Sequence, residues 1–244
     1  MRSGNQVREV FQKNKNTFQV GAKGCFYLAV MIEVLIVLID KSAWINPVEG
    51  MLFRLTFLLC FVKVCLTKYS LREYLVIGLF LGVSAISYFV TGRDEPVRIV
   101  MFVAACKNID MKKCLKLVFW LTLAGCIAIV TLSILGIGGA LSLTQDYGRG
   151  GVEPRYTLGM GHPNALHCMI WALTVLGLYL YHESLKWYSY GAIVLINLFF
   201  FFLTDSKTGL IMSLFAVFYI GAFRFLKKES FKRLCGIFGI LAAA

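Results

Sequence analysis

The stretch "RYTLGMGHPNALH", residues 155–167, carries the polar groups best suited to chemistry in an otherwise apolar chain. Arg155 offers a planar fork of N–H donors that matches phosphate oxygens, and His162 offers a donor or a base. Proline is favoured at the first position of a helix, so Pro163 predicts a helix that starts at His162–Pro163–Asn164. A helix start carries partial positive charge and attracts anions. The stretch therefore predicts a site for an anionic group such as phosphate.

Two glycines in the same stretch add to this interpretation. Gly159 and Gly161 lack a Cβ atom, so the backbone at these positions can approach a bound ligand closely. An alternative stays open, in which the turn only starts a helix and Arg155 contacts lipid headgroups. Exposed loop residues carry function more often than residues within helices do, which supports the functional interpretation.

A second polar motif, "TDSKTG" at residues 204–209, lies between two further apolar segments. Asp205 or Ser206 can cap the helix that follows, and Lys207 falls in its first turn, where a cation opposes the helix dipole. That mismatch favours a bound anion, although a lysine reaching the membrane interface would explain it equally well. We predict Arg155 and His162 as catalytic residues, and Arg149, Gly161, Asn164, Ser206 and Lys207 as substrate-binding residues.

Two ionisable residues, Glu33 and Arg54, lie within apolar segments, where such groups usually face a cavity or each other. Counted inward from the loop at residues 40–50, Glu33 is about two turns deep and Arg54 about one. We predict a structural ion pair, with a substrate role as the alternative. His162 and His167 are five residues apart, which is not a spacing that places two ligands on one helical face. No metal site and no cofactor are predicted.

The elements that must position these residues are membrane helices. Of the 244 residues, 59% are hydrophobic and only 16% are charged. Apolar runs of 16 or more residues match the length needed to cross about 30 Å of hydrocarbon. We predict an all-α, polytopic transmembrane helix bundle. The apolar runs cover residues 24–39, 51–67, 74–91, 97–106, 117–137, 164–181, 187–204, 209–225 and 234–244.

The distribution of basic residues predicts the orientation. When the N-terminus is placed in the cytoplasm and each run crosses, 18 of the 25 lysines and arginines lie on the inner side and six on the outer side. The net charge of +12 is thus explained by topology, and nucleic acid is not predicted as a partner. The scheme has a cytoplasmic segment at residues 1–23 and a main external loop at residues 138–163.

Two runs depart from the regular pattern. Residues 97–106 are too few to span comfortably, so we predict a short crossing whose outer end, "TGRDEP", lies in a protein-lined cavity. The run at 234–244 stops after eleven residues, and we expect a chain that ends within a truncated helix. The prediction is one membrane domain, residues 1–244, with about eight complete or short crossings before that last helix.

The chain resembles the family of O-antigen polymerases and ligases, which includes Wzy-like polysaccharide polymerases. The resemblance rests on "RYTLGMGHPN" before one membrane helix and "TDSKTG" before another, together with "AACKNIDMKKCLK" after a short helix. It covers most of the chain as the N-terminal portion of such a protein. Arg155 matches the family's arginine in an external loop, and His162 and Lys207 adjoin motif positions. Family members usually have a further large external loop, which this sequence lacks.

The resemblance implies a metal-independent glycosyltransferase of a bacterial cytoplasmic (inner) membrane, acting at its outer face in capsule, exopolysaccharide or O-antigen synthesis. A hydroxyl of a glycan acceptor would attack the anomeric carbon of a polyprenyl-diphosphate-linked glycan donor, and polyprenyl diphosphate would leave. Positioned cations would stabilise the charge that develops on the diphosphate.

Two other classes remain as alternatives: a flippase or transporter of lipid-linked glycans, and a non-catalytic membrane subunit. A flippase requires polar groups along a path between the two faces. The informative polar groups of this sequence gather at the predicted outer face, which favours the enzyme.

Overall fold

The computed structural model describes residues 2–148, 151–225 and 236. Eight α-helices and one two-stranded antiparallel sheet occur in this part of the chain. In chain order they are α1 (Arg2–Lys41), α2 (Glu49–Cys65), α3 (Leu71–Thr91), α4 (Glu95–Ala105), α5 (Met111–Ile134), β1 (Ser142–Asp146), β2 (Val152–Tyr156), α6 (Pro163–Tyr181), α7 (Trp187–Thr204) and α8 (Lys207–Phe225).

Six of the described helices are long and apolar enough to cross a membrane, which agrees with a multi-pass helical protein. The other two, α2 and α4, have 17 and 11 residues. The total of eight crossings and the cytoplasmic N-terminus therefore stay predictions, and the run at 234–244 lies outside the described residues except for residue 236. The six candidate spans are Gln19–Lys41, Leu71–Thr91, Met111–Ile134, Pro163–Tyr181, Trp187–Thr204 and Lys207–Arg224.

Local hydrogen bonds set several helix ends. A capping box starts α3, because Ser70 accepts from the amide of Glu73 while the Glu73 carboxylate accepts from the amide of Ser70. Gly92 ends the same helix with φ +71°, a conformation that glycine adopts without strain. Asp110 precedes α5 and accepts from the amide of Lys113, a hydrogen bond that holds the pKa of Asp110 below its usual value.

The main loop at residues 138–163 contains a β-hairpin, so the prediction of an all-α fold is wrong in this segment. Strands β1 and β2 pair in antiparallel register, with Ser142 opposite Tyr156 and Asp146 opposite Val152. Pro154 pairs with Thr144, and a proline within a strand usually argues against a sheet. It is tolerated here because each strand of a two-stranded sheet is an edge strand.

Residue contacts divide the chain into two compact units, and whether they act as one domain stays a prediction. The first contains Met1–Ile36 and Pro47–Cys114. Within it, α4 packs against both α2 and α3. The buried Lys63 side chain donates to Thr67 Oγ1 and to the carbonyl of Lys107, each at 2.7 Å. Its charge is thus covered by oxygen atoms, as a buried ammonium group requires.

The predicted Glu33–Arg54 ion pair in this first unit is wrong. Glu33 instead accepts a hydrogen bond from Thr56 Oγ1 at 2.5 Å. None of the ion pairs among the described residues contains Glu33 or Arg54. Thr56 is two residues from Arg54, about 200° around the axis of α2, so the two side chains point in different directions. A similar depth in the membrane does not place two residues on facing sides of their helices.

The second unit contains Val37–Asn46 and Leu115–Ala244, so far as these are described. Its core lies among α6, α7 and α8, where Leu178, Tyr190 and Val217 are buried together. The last turn of α1 and the chain after it also belong to this unit. The amide of Ala43 donates to the carbonyl of Gly159 at 3.0 Å, which ties that segment to the loop before α6.

Candidate functional site

Five of the predicted site residues of the two motifs line one polar pocket in the second unit, with a volume of about 310 Å³. The hairpin, the start of α6 and the start of α8 each contribute to its wall. Arg155, His162, Asn164, Ser206 and Lys207 therefore lie together, although their roles stay predictions. The full lining is Gln145, Asp146, Tyr147, Arg155, His162, Asn164, Ser206, Lys207 and Thr208.

Arg155 is buried, with only 6% of its side chain exposed. Its guanidinium lies over the ring of Tyr147 at 4.1 Å and contacts two carboxylates through one nitrogen, Glu153 at 2.9 Å and Asp205 at 3.1 Å. Glu153 reaches it because residues two apart on a strand share a face. Arg155 Nε has no hydrogen-bond partner among the described residues. The guanidinium thus keeps one buried N–H without an acceptor, while the nitrogen that faces the two carboxylates is already engaged.

His162 caps α6, and the helix starts at Pro163 as the sequence predicts. The extended backbone of His162 is the conformation that a following proline favours. Its Nδ1 accepts from the amide of Asn164 at 3.1 Å, so in the neutral ring the proton lies on Nε2. While it caps the helix, His162 is therefore a hydrogen-bond donor to the pocket, and its Nδ1 is already engaged.

The start of α6 does not offer amides to an anion, which corrects part of the predicted site. Pro163 has no N–H, Asn164 donates to the His162 side chain, and Ala165 donates to the carbonyl of His162 at 3.0 Å. Three of the four amides that a helix start leaves without an acceptor inside the helix are thus absent or satisfied.

The start of α8 supplies such amides instead. Ser206 precedes the helix, and Lys207 is its first residue, as predicted for the first turn. Helical geometry leaves the amides of Lys207, Thr208 and Gly209 without a carbonyl acceptor inside α8. Ser206, Lys207 and Thr208 all line the pocket. The geometry thus places an anion-attracting helix start at α8.

Gly161 does not line the pocket, which corrects its assignment to substrate binding. Its amide donates to the carbonyl of Lys41 at 2.9 Å. A Cβ at this position would lie 2.9 Å from the carbonyl oxygen of Ser42. Gly159, with φ +84°, similarly approaches Ser133 and the carbonyl of Ile129. Both glycines permit close backbone packing against helices, and this packing holds the loop that carries His162.

Charge in and around the pocket is close to balanced. Arg155 and Lys207 are its cations, while Asp146 lines it and Glu153 and Asp205 lie on Arg155. An incoming anion must therefore compete with a carboxylate for Arg155. Glu153 is the easier to displace, because 48% of its side chain is exposed, compared with 36% for Asp205. Arg149, the remaining predicted substrate-binding residue, lies outside the described residues.

His167 is a buried support of this site that the sequence reasoning missed. It is 0% exposed, and its Nδ1 lies 3.1 Å from Thr204 Oγ1. Thr204 donates its only hydroxyl proton to the carbonyl of Phe200, so the proton of this contact belongs to His167. The Thr204 hydroxyl also accepts from the amide of Ser206 at 3.3 Å.

This buried hydrogen-bond network holds the turn between α7 and α8. The turn includes Asp205, which has φ +49° and contacts Arg155. That left-handed conformation is uncommon for a residue other than glycine and persists where its surroundings enforce it. His167 thus stabilises the segment that places Asp205 and Ser206. The feature of the sequence that could have identified His167 is its position, one helical turn beyond Asn164 within an apolar helix.

No protein-family model, no curated protein and no solved structure matches this chain.

Proposed function

We propose that this protein transfers a glycan from a polyprenyl-diphosphate-linked donor to a glycan acceptor at a membrane surface, as an O-antigen polymerase or ligase does. The observation that carries the proposal is the convergence of Arg155, Lys207 and the first turn of α8 on one pocket. The pocket is formed at the ends of helices long enough to cross a membrane. A lipid diphosphate lies at that depth, where preorganised cations stabilise it as a leaving group.

An apolar groove in the same unit supports a lipid-linked substrate. It has a volume of about 570 Å³ and is lined by residues of α5, α6 and α7, including Leu123, Leu173 and Phe200. Along α6 it extends from Leu166 to Tyr181, about 22 Å at 1.5 Å per residue. A groove of this length suits a long hydrocarbon chain. Two pairs of buried polar side chains in the same unit are hydrogen-bonded to each other, His167 with Thr204 and Asn197 with Thr174.

In the proposed reaction, an acceptor hydroxyl oxygen forms a bond to the anomeric carbon of the donor. The bond from that carbon to the diphosphate oxygen breaks, and Arg155, Lys207 and the α8 amides hold the departing diphosphate. The hydroxyl proton passes to Asp146. This carboxylate lines the pocket and accepts from the amide of Gly148 at 2.7 Å without an ion pair to Arg155. His162, with its proton on Nε2, donates to substrate oxygen.

The test measures polymer formation in membranes that contain the lipid-linked donor. Arg155→Lys keeps the charge and loses the fork, so we expect it to remove most polymer formation, and we expect the same of Arg155→Ala. Gly151→Ala in the same loop is the control, because nothing lies within 4 Å of the added Cβ. Normal polymer from Arg155→Ala at normal membrane levels would show that the arginine serves as a headgroup anchor, and the proposal would fail.

Two further variants separate binding from turnover. Glu153→Gln removes the exposed competitor for Arg155, so we expect inorganic pyrophosphate to bind more tightly than to the wild type. Asp146→Asn removes the proposed base, so we expect turnover to fall while pyrophosphate binding is retained. If Asp146→Asn retained full turnover, the hydroxyl proton would go to another group.

A further inference from the structure

A second arginine pocket lies within the first unit and has no part in the reaction proposed above. It has a volume of about 460 Å³ and is formed by the start of α2, the end of α3 and the start of α4. Two arginines and three aromatic rings contribute to its wall. The lining residues are Phe53, Arg54, Phe57, Tyr88, Gly92, Asp94, Val97 and Arg98.

Arg98 is held in this pocket by an aromatic ring. The central carbon of its guanidinium lies 3.8 Å from the centroid of the Phe53 ring, a cation–π contact. The ring covers one face of the guanidinium and leaves the N–H groups at its edge. Arg98 Nε is buried and has no hydrogen-bond partner among the described residues. A buried donor of this kind is costly unless an acceptor reaches it.

Arg54 brings a second guanidinium to the same pocket. Glu33, its predicted partner, is hydrogen-bonded to Thr56 instead. In the part of the chain that the structure describes, no ion pair involves Arg54 or Arg98. Asp94 is the carboxylate of the lining, so two cations face one anion. Within the lining, the guanidinium groups therefore outnumber the carboxylates by one.

We propose that the Arg54–Arg98 pocket binds a phosphate-type anion. Two guanidinium groups present several N–H donors, and their planar forks match phosphate oxygens better than a single lysine would. Phe57 and Tyr88 add apolar contact for the carbon atoms attached to the phosphate. The phosphate belongs either to a phospholipid headgroup of the bilayer or to a soluble phosphate compound, and the chemistry of recognition is the same.

The experiment uses the full chain in nanodiscs of phosphatidylcholine. In one arm, inorganic pyrophosphate is titrated calorimetrically. In the other, a small fraction of phosphatidylglycerol is added, and retained anionic lipid is counted by mass spectrometry after transfer to detergent. Arg98→Lys keeps the charge and loses the fork, so we expect binding in the productive arm to weaken at least about tenfold. Arg54→Gln should weaken it similarly.

Arg93→Gln is the matched control, because it removes one charge from the neighbouring exposed loop without touching the lining. We expect it to change binding less than about twofold, since exposed charges interact weakly. The measurements are repeated in an Arg155→Ala background, which removes the other arginine site. Thermal unfolding shows whether each variant is folded. If Arg98→Lys has lost its fold, Arg98→Gln is used in its place.

The outcomes separate the two sources. Pyrophosphate binding that requires Arg54 and Arg98 supports a soluble phosphate ligand, and retained anionic lipid that requires them supports a headgroup. Binding in neither arm, or binding that Arg93→Gln weakens as much as Arg98→Lys, overturns the proposal. Because the Arg155→Ala background is expected to retain this binding, failure here is distinguishable from failure of the proposed glycan transfer.

Discussion

Arg155 and Arg98 each lie over an aromatic ring, but they differ in what faces the rest of the guanidinium. Arg155 contacts Glu153 and Asp205. Arg98 has no carboxylate contact within the described residues. In the first case the protein supplies its own counterions, which order the hairpin and the α7–α8 turn. In the second, one carboxylate of the lining, Asp94, faces two guanidinium groups without forming an ion pair with either. The two carboxylates on Arg155 therefore order its site and compete with an incoming anion, whereas none of the ion pairs among the described residues competes for Arg98.

The largest expected effect tests this difference directly. Arg155→Gln removes two ion pairs and the contact with Tyr147, so we expect the free energy of unfolding to fall by about 2–3 kcal/mol. This loss is smaller than that for a fully buried ion pair, because both carboxylates are partly exposed. Arg98→Gln should cost less than about 1 kcal/mol, because it removes only a ring contact. Detergent-induced unfolding in mixed micelles measures both. Equal losses would contradict the comparison.

Support beneath the Arg155 pocket is tested next. A Cβ at Gly209 would lie 2.5 Å from His167 Cδ2, so we expect Gly209→Ala to destabilise the protein by about 1–3 kcal/mol through overpacking. Gly221→Ala on the same helix is the control, since its Cβ would meet Tyr190 at an ordinary 3.5 Å. There the better helix propensity of alanine should leave stability unchanged or slightly higher. The same unfolding assay applies, and similar losses at both positions would argue against close packing on His167.

The hydrogen bond from His167 is tested by two amides of different length. Asn places an N–H near the position of Nδ1, whereas Gln places its amide near Nε2. We expect His167→Gln to lose about 1 kcal/mol more stability than His167→Asn, the usual contribution of one hydrogen bond. Because Ser206 also bonds to Thr204, pyrophosphate binding should follow the same order. Equal effects of Asn and Gln would mean that His167 only fills space.

The smallest expected effect concerns whether Glu33 interacts with Thr56 or with Arg54. Glu33→Gln and Thr56→Val should be coupled by about 1 kcal/mol in a double-mutant cycle, because they share a hydrogen bond. Glu33→Gln and Arg54→Gln should be additive within about 0.5 kcal/mol, since they share none. Coupling between Glu33 and Arg54 would restore the ion pair predicted from the sequence and weaken the case for an external anion.

Comparison with the sequence predictions shows which inferences are local. The start of α6 was predicted correctly because proline at the first helical position leaves few alternatives, and Lys207 was correctly placed in the first turn of α8. The hairpin was missed because glycines surround it and Pro154 lies inside β2. A short strand pair in a long loop gives little periodicity, and its register depends on partners across the chain.

The sequence by itself determined that most of the described helices follow its apolar runs and that several of them are able to cross a membrane, since these properties depend on apolar length and on caps a few residues away. Only the tertiary structure decided which charges meet: Glu33 with Thr56, and Arg155 with Asp205. The tertiary structure also decided that the backbone at Gly161 packs closely against the carbonyl of Ser42. Such contacts depend on how helices rotate about their axes and pack, and a one-residue step turns a side chain by about 100°. The position of a residue along its helix sets its depth in the membrane, whereas the packing of the helices sets which side chains it contacts.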